Sequence, residues 1–179
     1  LTMQDPADGG VYHKLTNKAF CDFVMPAAAN DPRYVVMKST AATLDFAATM
    51  AMASRVFAKT SFPELKVLGK TCLAAAGKAY AWAKANPAIY YKNPADISTG
   101  AYDDTFLSDE FFWASAELGL ATGNASMVSG KELMDQKIMV PSWDYSGMNG
   151  ILSLALSEGT SFETLRNLAQ KQLFRYVDQ

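Results

Sequence analysis

Two acidic stretches hold most of the chemistry this sequence offers: Ser108-Asp109-Glu110-Phe111-Phe112-Trp113 and Ser142-Trp143-Asp144. Each places carboxylates where a loop ends and a helix is predicted to begin. Carboxylate oxygens gathered with loop carbonyls are the hard ligands that a cation such as calcium takes. The same residues have a plainer use, with Ser108 as an N-cap and Asp109 and Glu110 complementing the helix dipole. His13, the one histidine, follows a Gly-Gly pair in a polar stretch, where an imidazole either meets a ligand or holds the backbone.

The elements that must position these residues are helical. From Lys38 to Lys59, Ala41, Leu44, Ala48, Met52 and Val56 recur at steps of three and four, and Ala42, Phe46, Met50 and Ser54 form a neighbouring stripe. A helix apolar nearly all round belongs inside a helical array. Pro63 to Asn86 is more amphipathic: Leu65, Leu68, Cys72, Ala76, Ala79 and Ala83 form the buried line, Lys66, Lys70, Lys78 and Lys84 stay wet, and Asn86-Pro87 ends it. A third helix runs from Ser108 to Thr122, closed by Gly123-Asn124. A fourth is expected from Ser126 to Ile138 and a fifth from Tyr145 to Glu158, where Gly147 and Gly150 permit close helix approach. The sixth opens at Thr160-Ser161-Phe162-Glu163, a capping-box signature, and turns Leu165, Leu168, Ala169, Leu173 and Val177 inward. Only Arg33 to Met37 alternates at period two, so no sheet is expected. Trp82 and Trp113 are assigned to the core, and Met25, Met37, Met50 and Met52 to gap filling.

Helices joined by short loops become antiparallel neighbours, which gives an all-α fold of helical hairpins. Repeated hairpins build a solenoid or an α/α toroid, and no internal period supports the solenoid. Residues 1–37 and 86–107 are long, rich in Tyr, Asp, Asn, Gly and Pro, and without an apparent helix; long loops on a rigid scaffold carry binding sites.

Composition narrows the partners. Half of the 179 residues are apolar, 19% are charged and the net charge is −2, enough for one packed core. There is no basic stripe for a phosphate backbone, which argues against nucleic acid. No apolar run is long enough to span a bilayer, which argues against a membrane partner. Cys21 and Cys72 pair in an oxidising compartment or stay as free thiols; the sequence leaves both open. The chain begins at Leu1 and ends at Gln179 within a helical pattern, as expected of part of a longer protein.

Seven stretches in order resemble one family. Asp8-Gly9-Gly10-Val11-Tyr12-His13-Lys14, Phe23-Val24-Met25-Pro26 and Lys38-Ser39-Thr40-Ala41-Ala42-Thr43, continuing through Asp45-Phe46-Ala47-Ala48-Thr49-Met50-Ala51, look like the middle of the catalytic module of glycoside hydrolase family 9, the inverting cellulases. Tyr102-Asp103-Asp104, Ser108 to Ala114, Ala116-Glu117-Leu118 with Thr122-Gly123, and Ser142-Trp143-Asp144 continue the match. The resemblance implies one fragment of that domain over 1–179, a partial (α/α)6 toroid with about half of its helices in antiparallel hairpins. It also implies a secreted hydrolase of β-1,4-glucosidic bonds in cellulose or related β-glucans.

Inversion needs a general acid and a general base roughly 6.5–9.5 Å apart. The family's base lies upstream of the region matched here and its acid downstream, so no catalytic residue is assigned and the fragment alone is expected to be silent. The resemblance implies instead a structural calcium ion held by Asp109, Glu110 and Asp144, with Thr105 and the Phe106 carbonyl as further ligands; relatives often carry Ser-Gly where this chain has Thr105-Phe106. It places His13 and Lys14 near a sugar cleft. Tyr12, Tyr102 and Trp143 are candidate stacking surfaces for pyranose rings, being flat and apolar with polar edges. An apolar flank, exposed where the ring is open, is expected to make the fragment self-associate. The rival from another class is a non-enzymatic helical-repeat module that binds carbohydrate or protein through the aromatic loops.

Overall fold

A computed structural model of the chain describes residues 1–177. Its helices are α1 (Thr40–Ala58), α2 (Pro63–Ala85), α3 (Ser108–Thr122), α4 (Gly130–Asp135), α5 (Gly147–Ala155) and α6 (Glu163–Val177). α1 packs along α2 and α3, α3 along α5, α5 on α6, and α6 on α4. One layer is therefore α1–α3–α5, backed by α2 along α1 and by α6 with α4 along α5. This is the all-α arrangement expected of part of an (α/α)6 toroid.

Small residues set the spacing between the layers. Ala47, Ala48 and Ala51 of α1, Ala76, Ala79 and Ala83 of α2, and Ala114 and Ala116 of α3 are fully buried. Facing alanines let helix backbones approach closely and leave no room for voids. The closest approach is between α3 and α5: a Cβ on Gly150 would lie 2.7 Å from Phe112 Cε1 and 3.2 Å from Trp113 Cα. The second core fills beneath it with Phe112, Leu133, Ile151, Leu154, Phe162 and Ala169.

A polar clamp crosses this layer away from the helix starts. Glu117 of α3 is fully buried; its carboxylate receives the Arg55 guanidinium from α1 and the Ser153 hydroxyl from α5. One side chain thus ties three helices, with its charge balanced inside the protein.

Several expectations are corrected. Residues 15–16 and 34–35 pair as two short antiparallel strands, β1 (Leu15–Thr16) and β2 (Tyr34–Val35), which close the loop between them. The fourth helix is split: Asn124 starts a 3-10 turn over Ala125–Met127, and the Ser129–Glu132 capping box starts α4 afresh. α5 is shorter than predicted because Tyr145 is held in a turn with Ser142. α6 begins at Glu163, so Thr160 stands too early to cap it. The residue before α3 is Leu107, and Ser108 lies inside the helix without capping it. Leu68, Val177, Met25 and Met37 are exposed, since the ends of α2 and α6 and the loop surface have nothing packed over them. Trp82 is half-buried, lying over Gly10 and donating to Asp8 Oδ2 at 3.1 Å. Cys21 is exposed and Cys72 buried, and both are free thiols.

The α3–α5 contact is testable. Gly150→Ala should cost about 1–3 kcal/mol by overpacking, read as a lower urea midpoint with an unchanged slope. Equal stability of the variant would show that the two helices can separate without loss.

Candidate functional site

The starts of α1, α3 and α5 meet at one end of the layer, and the long loops gather there. Ser39 caps α1, its Oγ accepting from the Ala42 amide at 3.2 Å. His13 sits on this cap: Nδ1 lies 2.8 Å from Ser39 Oγ and Nε2 lies 3.0 Å from the Ala101 carbonyl oxygen. A carbonyl can only accept, so Nε2 carries the proton; burial lowers the ring's pKa, so Nδ1 is free to accept from the serine hydroxyl. The ring also stacks on Tyr91, 3.8 Å between centroids and 8° between planes. Both nitrogens of His13 are therefore engaged within the chain.

Lys14 is spent in the same way. Its ammonium donates to the Gly100 carbonyl at 2.5 Å, to Asn93 Oδ1 at 2.9 Å and to Thr99 Oγ1 at 3.3 Å. Tyr12 donates to Asp5 Oδ2 at 3.1 Å, and Lys38 Nζ lies 5.4 Å from the centre of its ring. His13, Lys14 and Tyr12 thus hold the loops in place through contacts within the chain.

Tyr102 and Trp143 are presented outward. They are 57% and 58% exposed, with ring centroids 6.0 Å apart and planes at 81°. Tyr102 has a positive φ of 55°, a strained setting for a residue with a Cβ. Trp143 stands on the Ser142–Tyr145 turn, where Ser142 N donates to the Tyr145 carbonyl at 2.9 Å and Tyr145 N returns the bond at 3.3 Å. The two aromatics form an open corner beside the starts of the helices.

Beneath them lies an acid cluster. One carboxylate oxygen from each of Asp104, Asp109 and Glu110 falls within 4.8 Å of the others. Asp109 is 0% and Glu110 1% exposed, so neither is a solvated first-turn acid facing water along the helix dipole. Asp109 Oδ2 accepts from the Ser146 amide, at the start of α5, at 2.7 Å. Asp104 Oδ1 accepts from the Phe106 amide at 2.8 Å. The partner oxygens Asp104 Oδ2, Asp109 Oδ1 and Glu110 Oε2 are shut off from solvent without a hydrogen-bond partner, as are Asp45 Oδ1 and Ser146 Oγ.

The electrostatics follow from that crowding. Burial pushes Glu110 far above the usual carboxylate range, with Asp104 and Asp109 adding to the shift. Asp45, on α1, is pushed up to about 7 by burial first and by Asp109 and Asp104 next. A protonated Glu110 can donate one hydrogen bond and leaves the other oxygens bare; a hard cation answers several at once. Asp104, Asp109 and Glu110 are the residues that could hold one.

The structure brings Asp109 and Glu110 together as expected and leaves two of the expected ligands aside. Asp144 is exposed, its Oδ1 accepting from Ser142 Oγ at 2.5 Å, and Thr105 is exposed on the loop. Asp104, and not Thr105, joins Asp109 and Glu110, because the loop turns inward at Asp104 and outward at Phe106. Asp45 also escaped the sequence reading, although it had a signal. An acid in the middle of a helix otherwise apolar nearly all round is rarely buried without a partner.

With this geometry in hand, comparison with known proteins is direct. The sequence pattern of Glycosyl hydrolase family 9 matches residues 1–178. A xyloglucan-specific endo-beta-1,4-glucanase of Bacteroides ovatus is 52% identical over 130 residues, covering 69% of this chain and 22% of the relative. Endoglucanase D of Acetivibrio thermocellus is 35% identical over 164 residues, covering 88% of this chain and 26% of the relative. Among solved structures, a family 9 protein of Bacteroides ovatus superposes with a TM-score of 0.86 at 40% identity, over 99% of this chain and 34% of its own. A thermostable endoglucanase of Alicyclobacillus acidocaldarius gives 0.85 at 33% identity, again over 99% and 34%. A further relative, solved with cellobiose-like isofagomine, gives 0.85 at 33% identity over the same shares. The chain spans about a quarter of the curated relatives and a third of the solved ones, and it belongs to glycosyl hydrolase family 9.

Proposed function

We propose that this chain forms the ion-braced wall of a sugar cleft in an enzyme that cleaves β-1,4-glucosidic bonds of β-glucan with inversion. The observation that carries the reading is the exposed Tyr102–Trp143 corner at the end of the layer where α1, α3 and α5 begin. Flat aromatic faces take the apolar faces of pyranose rings, and two rings set at right angles can engage consecutive sugars that differ in orientation. The related structure that holds cellobiose-like isofagomine supports a glucan-type ligand. The xyloglucan specificity in the name of the 52% identical relative favours a substituted β-1,4-glucan over plain cellulose.

The general acid and base are supplied by the rest of the catalytic module, and His13 and Lys14 orient the loops without touching the reacting bond. A polymer too large to cross a membrane must be met outside the cell, which supports secretion. Calcium is the ion proposed for Asp104, Asp109 and Glu110, because buried oxygen ligands of full negative charge suit a hard divalent cation. It would brace the cleft from below. Asp104 is two residues from Tyr102, and the Ser146 amide that binds Asp109 follows the Trp143 turn. The exposed Phe20, Phe23, Val24 and Met25 on the loop, Leu152 on α5 and Leu156 just after it supply the apolar flank proposed for self-association.

Three outcomes test this reading. The whole enzyme should release products of inverted anomeric configuration from xyloglucan or β-glucan, followed by proton NMR, and Trp143→Ala should raise KM roughly two- to tenfold, as expected for a lost stacking contact; an unchanged KM would remove the corner from substrate binding. Calcium at a hundred times its dissociation constant should stabilise the chain by about 2.7 kcal/mol, visible as a higher melting temperature that EDTA reverses. A flat calcium titration would remove the ion. Light scattering should show dimers or larger species of the 179-residue chain, whereas a clean monomer would mean that the apolar flank is inert.

A further inference from the structure

Asp45 stands apart from the three acids just assigned, and no part of the reading so far uses it. It lies in the second turn of α1, after the Ser39 cap and among Leu44, Ala47 and Ala48, all fully buried. Its Oδ1 is sealed from solvent and has no hydrogen-bond partner, and the acids that act on it are Asp109, on α3, and Asp104, on the loop before it. The ion pairs among the described residues all lie elsewhere, and no lysine or arginine reaches this carboxylate. Helix α1 thus carries an acid that feels Asp109 and Asp104 and has no cation paired with it among the described residues.

A second, independent observation points to a ligand at the same spot. Ser146 is 7% exposed and its Oγ is buried and unpartnered, while its amide is bound to Asp109 Oδ2 at 2.7 Å. Asp109 Oδ1 and Glu110 Oε2 are also bare, on side chains that are fully buried. Sealed, unpartnered polar atoms thus come from α1, from α3 and from the residue before α5, which is tied to α3 through Asp109, and each such atom costs about 1–3 kcal/mol unless something answers it.

We infer that Asp45 is a positioning residue of the cation centre, holding the ion from α1 through a shared ligand such as a coordinated water, so that the ion joins α1, α3 and α5. The inference rests on the cation reading proposed above. Asp45 is outside the group whose oxygens lie within 4.8 Å of one another, so it acts on the ion at second hand. Partners of that kind orient the ligands and add charge to the site, and their loss commonly weakens metal binding by about 10- to 100-fold. The arrangement also explains why α1 tolerates an acid in its buried stretch.

The test compares the wild-type chain with Asp45→Asn at pH 8, using calcium chloride alone as the probe. Isothermal titration should show calcium binding weakened by about 10- to 100-fold in the variant. Thermal unfolding should show an inversion. In EDTA the variant should melt at the same temperature as the wild type or higher, because an unanswered charge has been removed, whereas in calcium it should melt lower. A purely structural Asp45 would lower the melting temperature equally in both conditions, and that result, or a variant that does not fold in EDTA, overturns the inference. Unaltered calcium affinity in Asp45→Asn overturns it while leaving the cation reading in place. A wild-type chain that takes up no calcium overturns both.

Discussion

Negative charge buried without an answering side chain is the constraint around which this part of the molecule is built. The oxygens of Asp104, Asp109 and Glu110 lie within 4.8 Å of one another. At an effective dielectric of about 20, two full charges at that separation repel by about 3.5 kcal/mol, so three ionised acids set themselves against folding by about 10 kcal/mol. The stability of a whole domain is about 5–15 kcal/mol. The dipole of α3, which favours anions at its first turn, returns at most about 2 kcal/mol. Protonating one acid lowers the repulsion but leaves sealed oxygens unpaired. A divalent cation removes both costs together, which is why the acids point to an ion more strongly than their sequence spacing does.

The two ends of the α1–α3–α5 layer solve the same problem differently. Away from the helix starts, Glu117 is matched within the chain by Arg55 and Ser153, so that end is closed whatever the solution contains. At the helix starts Asp45 comes from α1, Asp109 and Glu110 from α3 and Asp104 from the loop before it, and no cationic side chain among the described residues pairs with them. That asymmetry suits function. The internally balanced clamp fixes the helices, while the acids without a paired cation sit under the loops that carry Tyr102 and Trp143. An ion bound there, as proposed, would act on those loops without loosening the core.

Much of this architecture is legible in the residues. α1, α2 and α3 follow from apolar spacing, from Pro63, and from Gly123 in its left-handed setting, because each signal is local to its own helix. The broken stretch around α4 is not, since Ser126 and Ser129 both look like helix starts and only the Ser129–Glu132 capping box settles the choice. Asp109 and Glu110 are readable as a pair because they are adjacent. Asp45 and Asp104 are not, for they join that pair only through the packing of α1 on α3 and the inward turn of a loop. His13 shows the opposite limit: its motif draws attention to chemistry, but its two nitrogens are taken by Ser39 and Ala101.

Those buried contacts still have a consequence for the cleft. Tyr102 is held at a positive φ, a setting that costs on the order of 1–3 kcal/mol and persists only where neighbours over-determine it. The neighbours here are specific. His13 holds Ala101 on one side, Lys14 holds Gly100 and Thr99, and Asp104 anchors the chain just beyond by accepting from the Phe106 amide. Each is an interaction of a residue two or fewer positions from those flanking Tyr102, and together they outweigh the strain. The histidine and lysine expected as sugar contacts hold the backbone instead, because they keep the Tyr102 ring outward in a conformation the backbone alone would abandon.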